Sequence, residues 1–221
     1  MGETAGDLVS QTFNLGYGGG TLALLALLIV AVTLSIYSKS QKPFLYWTVI
    51  TLASTAGTTI SDYLSRTLGF GYIFGTLFLV FILSATFFIW KWYSKADALN
   101  TGLNKTTEFL YWTAILSSST LGTAFGDLLA HDTPLGFDFG TLFLLALLAI
   151  VAVLDYFSKL SKTFIYWLAI ILTHPIGATI GDYMTKPEGL NLGNSNASLI
   201  LIVVFILVIL VRKFTVQKPL S

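Results

Sequence analysis

Four aspartates recur at equivalent places along the 221-residue sequence, each at the end of a Gly-x-x-x-small-Asp motif. A threonine precedes each aspartate by three or four residues, which places the hydroxyl and the carboxylate on one face of a helix. Carboxylate and hydroxyl oxygens suit hard cations such as Mg²⁺ or Mn²⁺, or a proton-coupled site. The candidate cation or proton site therefore consists of Asp7, Asp62, Asp127 and Asp182, of Thr58, Thr123 and Thr179, and of Glu3, which lies one turn before Asp7.

Two interpretations of these motifs stay open. Ionisable residues inside a membrane face the interior of a helix bundle and are by default functional candidates. A carboxylate near a helix C-terminus also opposes the helix dipole, so four repetitions need a compensating partner. Alternatively, each aspartate caps the next helix and the glycine pairs only allow close packing of helices.

His174 is a further candidate, because it precedes Pro175 and lies eight residues before Asp182, on roughly the same helical face. A buried histidine there could relay protons or bind a metal, although a lone helical histidine commonly just hydrogen-bonds a neighbour. The sequence contains no nucleophile elbow, phosphate-binding loop or paired-histidine zinc motif. We therefore expect no enzyme, no catalytic residue and no cofactor, and the identity of any metal is open.

The elements that position these residues are transmembrane helices. The sequence is 55% hydrophobic and only 10% charged, whereas soluble domains carry roughly a quarter charged residues. Long uncharged runs without alternation predict spanning helices rather than barrel strands. We predict an all-α transmembrane fold with a short helix at 2–11 and about seven spans, near 20–38, 43–65, 74–94, 107–130, 139–158, 163–185 and 196–213.

An internal repeat organises these helices. Three Phe-x-Tyr-Trp motifs, ending at Trp47, Trp112 and Trp167, are each followed by Gly-x-x-x-small-Asp, and the first three aspartates are followed by Gly-Thr-Leu. The chain resembles a bacterial membrane-protein family that is defined by a four-fold repeat of unknown function. The resemblance covers nearly the whole chain and implies the fold more than an activity. Ser61 departs from the motif, and the first unit starts at residue 2, so either the chain begins upstream or its first element is a half-helix.

The aspartates are 55, 65 and 55 residues apart, which divides the chain into two halves offset by 120 residues. We expect 1–94 and 108–213 to form the halves, 95–107 a cytoplasmic linker and 214–221 a cytoplasmic tail. Because a two-helix unit returns to its starting side, the halves should be parallel and related by a pseudo-two-fold axis along the membrane normal.

Charge predicts the orientation. Ten Lys and Arg residues belong to one set of loops and the C-terminal tail, and two, Arg66 and Lys186, to the other. This bias places the C-terminus in the cytoplasm. All five tryptophans lie at the basic ends of the helices, as in an interfacial belt.

The leading functional hypothesis is a small secondary transporter or exporter of cations in the bacterial cytoplasmic (inner) membrane. The alternative is a non-transporting structural or assembly protein whose motifs only pack and cap helices. The expected partners are the lipid bilayer and a small cation, without nucleic acid. A homo-oligomer is compatible with this sequence.

Overall fold

The computed structural model describes residues 1–38, 43–93 and 105–216, and within these ranges the chain is helical and contains no strand. The helices of the described residues are α1 (Gly2–Asp7), α2 (Gly16–Tyr37), α3 (Pro43–Asp62), α4 (Gly71–Tyr93), α5 (Lys105–His131), α6 (Gly136–Phe157), α7 (Lys162–Thr185) and α8 (Gly193–Val216). Two π-helical turns, Leu8–Thr12 and Tyr63–Thr67, extend α1 and α3 directly.

The helices α2, α4, α6 and α8 begin three or four residues earlier than predicted. Each starts at a glycine with φ between 63° and 72°, namely Gly16, Gly71, Gly136 and Gly193. This left-handed conformation is costly for residues with a side chain, so glycine allows the sharp turn between the paired helices. The Gly-Thr-Leu sequences then fall one turn inside the helices.

Four inner helices form a closed ring, in which α1 packs on α3, α3 on α5, α5 on α7, and α7 on α1. The remaining helices lie outside this ring. Each packs on the inner helix that follows it, α2 on α3, α4 on α5 and α6 on α7, and α8 packs on α1. The inner helices carry the aspartate motifs, so the ring brings them around one axis.

The motif glycines, with the exception of Gly177, bring the inner helices close together. A Cβ atom built on Gly57 would lie 2.7 Å from Cβ of Ser119, and one on Gly122 would collide with Cβ of His174. The ring closes in the same way, since a Cβ on Gly181 would lie 2.8 Å from Cβ of Glu3. These positions support the predicted packing role of the small-residue pairs.

Among the described residues, five helices are long and apolar enough to cross a membrane: α2, α4, α6, α7 and α8 up to Val211. Large apolar side chains cover the outside of the outer helices, as lipid contact requires, and examples are Leu22, Phe81, Phe143 and Leu207. By contrast, α3 and α5 turn many hydroxyl and carboxyl groups inward. The chain is therefore a repeat-built membrane protein, while the count of seven spans and the two-fold relation between the halves stay predictions.

The ends of the helices that bear the Phe-x-Tyr-Trp motifs contain the main apolar core. Trp90, Trp112 and Trp167 are buried there, with Trp90 and Trp167 packed edge to face at 5.5 Å. These three tryptophans lie at the predicted basic ends of the helices, but they are buried rather than exposed to lipid, because the inward faces of α4, α5 and α7 carry them. Lys39, Lys42, Lys95 and Lys218, which contribute to the predicted orientation, lie outside the described residues, as do most of the predicted linker and tail.

Candidate functional site

The ring of inner helices gathers five buried carboxylates. Asp7 and Asp62 end α1 and α3, whereas Asp127 and Asp182 lie one turn before the ends of α5 and α7. None of the four aspartates is more than 3% exposed, and Glu3 is 7% exposed. Salt bridges that link the aspartates of neighbouring helices, and the proximity of Glu3 to Asp7 and Asp182, place the five side chains in one region.

A second pattern follows each aspartate by four residues. The residues at this position are Gln11, Arg66, His131 and Lys186. Gln11 Nε2 donates to Oδ1 of Asp7 at 2.6 Å. His131 Nδ1 lies 3.0 Å from the backbone oxygen of Asp127 and 3.9 Å from its carboxylate. The second and fourth units thus supply permanently charged bases, and the first and third do not.

Each of these bases contacts two aspartates on neighbouring inner helices. Arg66 Nε lies 2.8 Å from Asp62 Oδ1, and Arg66 Nη2 lies 3.8 Å from Asp127 Oδ2. Lys186 Nζ lies 3.1 Å from Asp7 Oδ2 and 3.4 Å from Asp182 Oδ1. The four aspartates therefore form two pairs, each around one base.

Lys186 lies just beyond the end of α7, where burial and the nearby carboxylates have opposite effects on the pKa of its side chain. Burial lowers the pKa of its ammonium, but the negative charges of Asp182 and Asp7 outweigh this and raise that pKa above its ordinary value. Lys186 therefore carries a positive charge at neutral pH.

Glu3 makes a different set of contacts, deeper along the axis. Its Oε2 accepts hydrogen bonds from Thr58 Oγ1 at 3.1 Å and from Thr123 Oγ1 at 2.9 Å, and these two hydroxyls lie 3.1 Å apart. Thr58 and Thr123 thus lie within the site. Thr179 bonds instead with Thr141 and with the backbone of Pro175, so it does not join the carboxylates.

His174 is hydrogen-bonded to groups other than the carboxylates. Its Nδ1 is 2.8 Å from the backbone oxygen of Ile170 and 3.3 Å from Ser118 Oγ. A cavity of about 170 Å³ separates it from Glu3 and is lined by both residues together with Ser54 and Ser119. The described residues give His174 no hydrogen bond to an acidic side chain.

The site holds more negative than positive side chains. Five carboxylates face Arg66 and Lys186, an excess of three formal charges, and the Met1 amino group near Glu3 reduces it by one. Both oxygens of Asp62 and Oδ1 of Asp182 lack a hydrogen-bond partner within the described residues, although each carboxylate lies close to a base. Buried charges of one sign need protons or cations to balance them.

Three of the carboxylates could hold one metal ion. One oxygen from each of Glu3, Asp7 and Asp182 lies within 4.8 Å of the other two. The predicted capping role finds no support at Asp62, because neither of its carboxylate oxygens has a hydrogen-bond partner within the described residues.

Comparison with known families agrees with this repeated architecture. The family described as Repeat of Unknown Function (DUF347) matches the chain at residues 1–41, 45–96, 110–161 and 165–217. The chain belongs to this repeat family. Each DUF347 repeat contains one inner and one outer helix, so every repeat supplies one aspartate to the site. No curated protein and no solved structure matches the chain.

Sequence reasoning assigned Arg66 and Lys186 only to the outer loops, yet both bases belong to the carboxylate site of this DUF347 protein. Their signal was present in the repeat, since each follows its aspartate by four residues and therefore lies on the same helical face. Aligning the repeats beyond the aspartate would have identified them.

Proposed function

We propose that this protein is a small secondary transporter or exporter of cations, carrying a divalent metal ion or coupled to protons. The observation that carries the proposal is the excess of five buried carboxylates over the two basic side chains, Arg66 and Lys186, which pair only with the four aspartates. Such an excess of negative charge in a low-dielectric interior is costly unless a cation or a proton compensates it. A structural role needs no such excess, since equal numbers of acids and bases would suffice.

The chemistry of the side chains supports a hard cation. The site offers carboxylate and threonine oxygens, which suit Mg²⁺ and Mn²⁺, and the chain has no cysteine for softer metals. The surrounding architecture supports movement across a membrane, because a polar inner ring lies within apolar outer helices. We assign no catalytic step to this site.

The proposed setting is the bacterial cytoplasmic membrane, with the C-terminus in the cytoplasm. The ten-to-two distribution of basic residues supports this orientation. The carboxylates would then lie toward the outer face, with the Phe-x-Tyr-Trp motifs toward the cytoplasm.

A structural or assembly role is the second candidate, favoured by the two bridging bases. Arg66 and Lys186 each join neighbouring inner helices, as a purely structural ion pair would. Under this alternative the ion pairs and glycine contacts hold the ring together, and no ion moves.

Flux through proteoliposomes distinguishes the two candidates. Purified protein is reconstituted with a metal-sensitive or pH-sensitive dye inside, and Mn²⁺, Mg²⁺ or a proton gradient is applied. We expect flux in the parent and its loss in Asp182→Asn. Asp155→Asn is the matched control, because the Asp155 side chain is 46% exposed and distant from the site in the sequence. An absence of flux for every cation in the parent would contradict the transport proposal.

A further inference from the structure

We propose that Glu3, Asp7 and Asp182 form the seat of the transported cation, and that the Lys186 ammonium competes with the cation for this seat. The inference rests on the proposed function and deepens it. It names the carboxylates that bind and the side chain that promotes release.

The spacing of the carboxylate oxygens fits an ion shell. Oxygens of Glu3, Asp7 and Asp182 lie within 4.8 Å of one another. Ligands on opposite sides of a bound Mg²⁺, Mn²⁺ or Ca²⁺ ion are about 4–5 Å apart, given bonds of about 2.0–2.6 Å. A small adjustment of side chains would therefore bring all three onto one ion. By contrast, Asp62 and Asp127 form ion pairs with Arg66.

One oxygen at this seat is buried and lacks a hydrogen bond. The Asp182 side chain is 4% exposed, and its Oδ1 makes no hydrogen bond within the described residues. Lys186 Nζ is its nearby counter-charge, at 3.4 Å. This ion pair leaves the buried oxygen without a hydrogen bond, so a divalent ion in direct contact would bind the oxygen more strongly than the ammonium does.

Lys186 occupies the position of a competing cation. Its Nζ lies between Asp7 Oδ2 and Asp182 Oδ1, at 3.1 and 3.4 Å. These are two of the three carboxylates of the seat, and an ammonium and a metal ion that share them would repel each other strongly at such distances. Binding of the metal therefore requires the ammonium to move away, and its return would weaken metal binding.

The location of Lys186 permits this movement. Lys186 is the first residue after α7, with extended backbone at φ −81° and ψ 156°, and its side chain is 24% exposed. A lysine has a flexible stem and a compact charge, whereas the planar guanidinium of arginine is more rigid. Arg66 lies within a π-helical turn and bridges the other pair of aspartates. We assign Lys186 as the exchangeable counter-ion and Arg66 as the fixed one.

Calorimetric titration of the full chain in detergent with MnCl₂, and separately MgCl₂, at constant ionic strength tests the inference. Lys186→Met keeps the stem and removes the charge, so Mn²⁺ should bind about tenfold more tightly or better, because a positive charge a few ångströms from the ion is lost. Lys186→Arg is the matched control, keeps the charge and should bind no more tightly than the parent. Arg66→Met should give a smaller gain than Lys186→Met.

Thermal melting gives a second measurement, which remains informative if a variant folds poorly. Without metal, Lys186→Met should melt below the parent, because Asp7 and Asp182 lose their counter-charge. Mn²⁺ should raise its melting temperature more than that of the parent. A merely structural lysine would lower the melting temperature without this larger rescue. Lys186→Gln should behave like Lys186→Met.

The outcomes separate the two proposals. Divalent-ion binding that is equal in the parent and Lys186→Met overturns the competition by Lys186 and leaves the transport proposal in place. Proton flux in liposomes without any binding of Mn²⁺ or Mg²⁺ would likewise overturn the competition by Lys186 and leave the transport proposal in place. Absence of both cation flux and cation binding in the parent overturns transport, and the inference with it.

Discussion

The hydroxyl oxygens of Tyr111 and Tyr166 lie 2.9 Å apart, and the Tyr46 hydroxyl lies 3.4 Å from that of Tyr111. These tyrosines occupy the same position in three Phe-x-Tyr-Trp motifs, so the repeat brings identical groups together at the ends of α3, α5 and α7 opposite the carboxylates. The inner ring is thus joined by charged groups at one end and by hydroxyl groups at the other.

Tyr111→Phe tests the hydroxyl chain. Tyr111 is its middle member, so the variant loses both contacts, and we expect a loss of about 1–2 kcal/mol in the free energy of unfolding. Unfolding in detergent, followed by circular dichroism, measures this change. Tyr156→Phe is the control, because Tyr156 is 81% exposed. Equal stability of the two variants would contradict a role for the hydroxyl chain.

Thr123→Val tests the deeper contact of Glu3. Valine keeps the shape of threonine but removes the hydroxyl that donates to Glu3 Oε2 at 2.9 Å. We expect a stability loss of roughly 1–3 kcal/mol, because a buried carboxylate loses a donor. Thr173→Val serves as the control, since the exposed Thr173 hydroxyl bonds only its own helix backbone. A variant as stable as this control would show that Thr123 is not needed at Glu3.

Asp127→Asn separates the functional interpretation from the structural one. Under the transport proposal, Mn²⁺ or Mg²⁺ should stabilise the variant less than the parent, because the site that attracts the cation loses one negative charge although Asp127 is not a ligand. Its melting temperature without cation should stay equal or rise, because one of the excess negative charges is gone. Melting curves of both proteins, with and without cation, provide the measurement. An earlier-melting variant, beside a parent that no cation stabilises, would favour the structural role.

Gly122→Ala tests the close approach of α5 and α7. The added methyl group would collide with Cβ of His174, so the helices must separate, and overpacking of this kind costs about 1–3 kcal/mol. Gly177→Ala is the matched control at the equivalent motif position, where an added Cβ meets nothing within 4 Å. We expect lower yield and melting temperature only for Gly122→Ala. Similar behaviour of both variants would contradict the packing argument.

Reporter fusions test the orientation. A fluorescent reporter that folds only in the cytoplasm should be active after residue 221 and inactive when inserted between α5 and α6, near residue 133. Alkaline phosphatase, which folds only outside, should show the reverse. An externally active phosphatase at the C-terminus would contradict the positive-inside prediction.

The repeat and the helix pattern could be predicted from the sequence because they depend on local signals. Apolar runs gave the helices to within a few residues, and the recurring Gly-x-x-x-small-Asp motif indicated which faces turn inward. The glycine starts of the outer helices differ from the prediction, since positive φ at Gly16 and its counterparts adds one turn that no hydropathy pattern reveals.

The internal arrangement of the site depends on how the helices close into a ring. The spacing of motifs along the chain carries no information about this closure. Arg66 and Lys186 were therefore assigned to loops, although they lie on the helical faces of their aspartates. Likewise, His174 shares a face with Asp182 in the sequence, but two helical turns of rise and the close contact with α5 keep it apart. The burial of Trp90, Trp112 and Trp167 at the basic ends likewise depends on helix packing and could not be predicted from their positions in the sequence.

Each of the two bridging bases contacts an aspartate in the other half of the chain. Arg66, from the first half, reaches Asp127 in the second, and Lys186, from the second, reaches Asp7 in the first. Each half alone would contain one buried acid whose neutralising base belongs to the other. Separately expressed halves, cut between residues 94 and 105, should consequently recognise each other through this reciprocal exchange and complement one another in a single membrane, whereas either fragment alone would be a substrate for quality-control proteolysis.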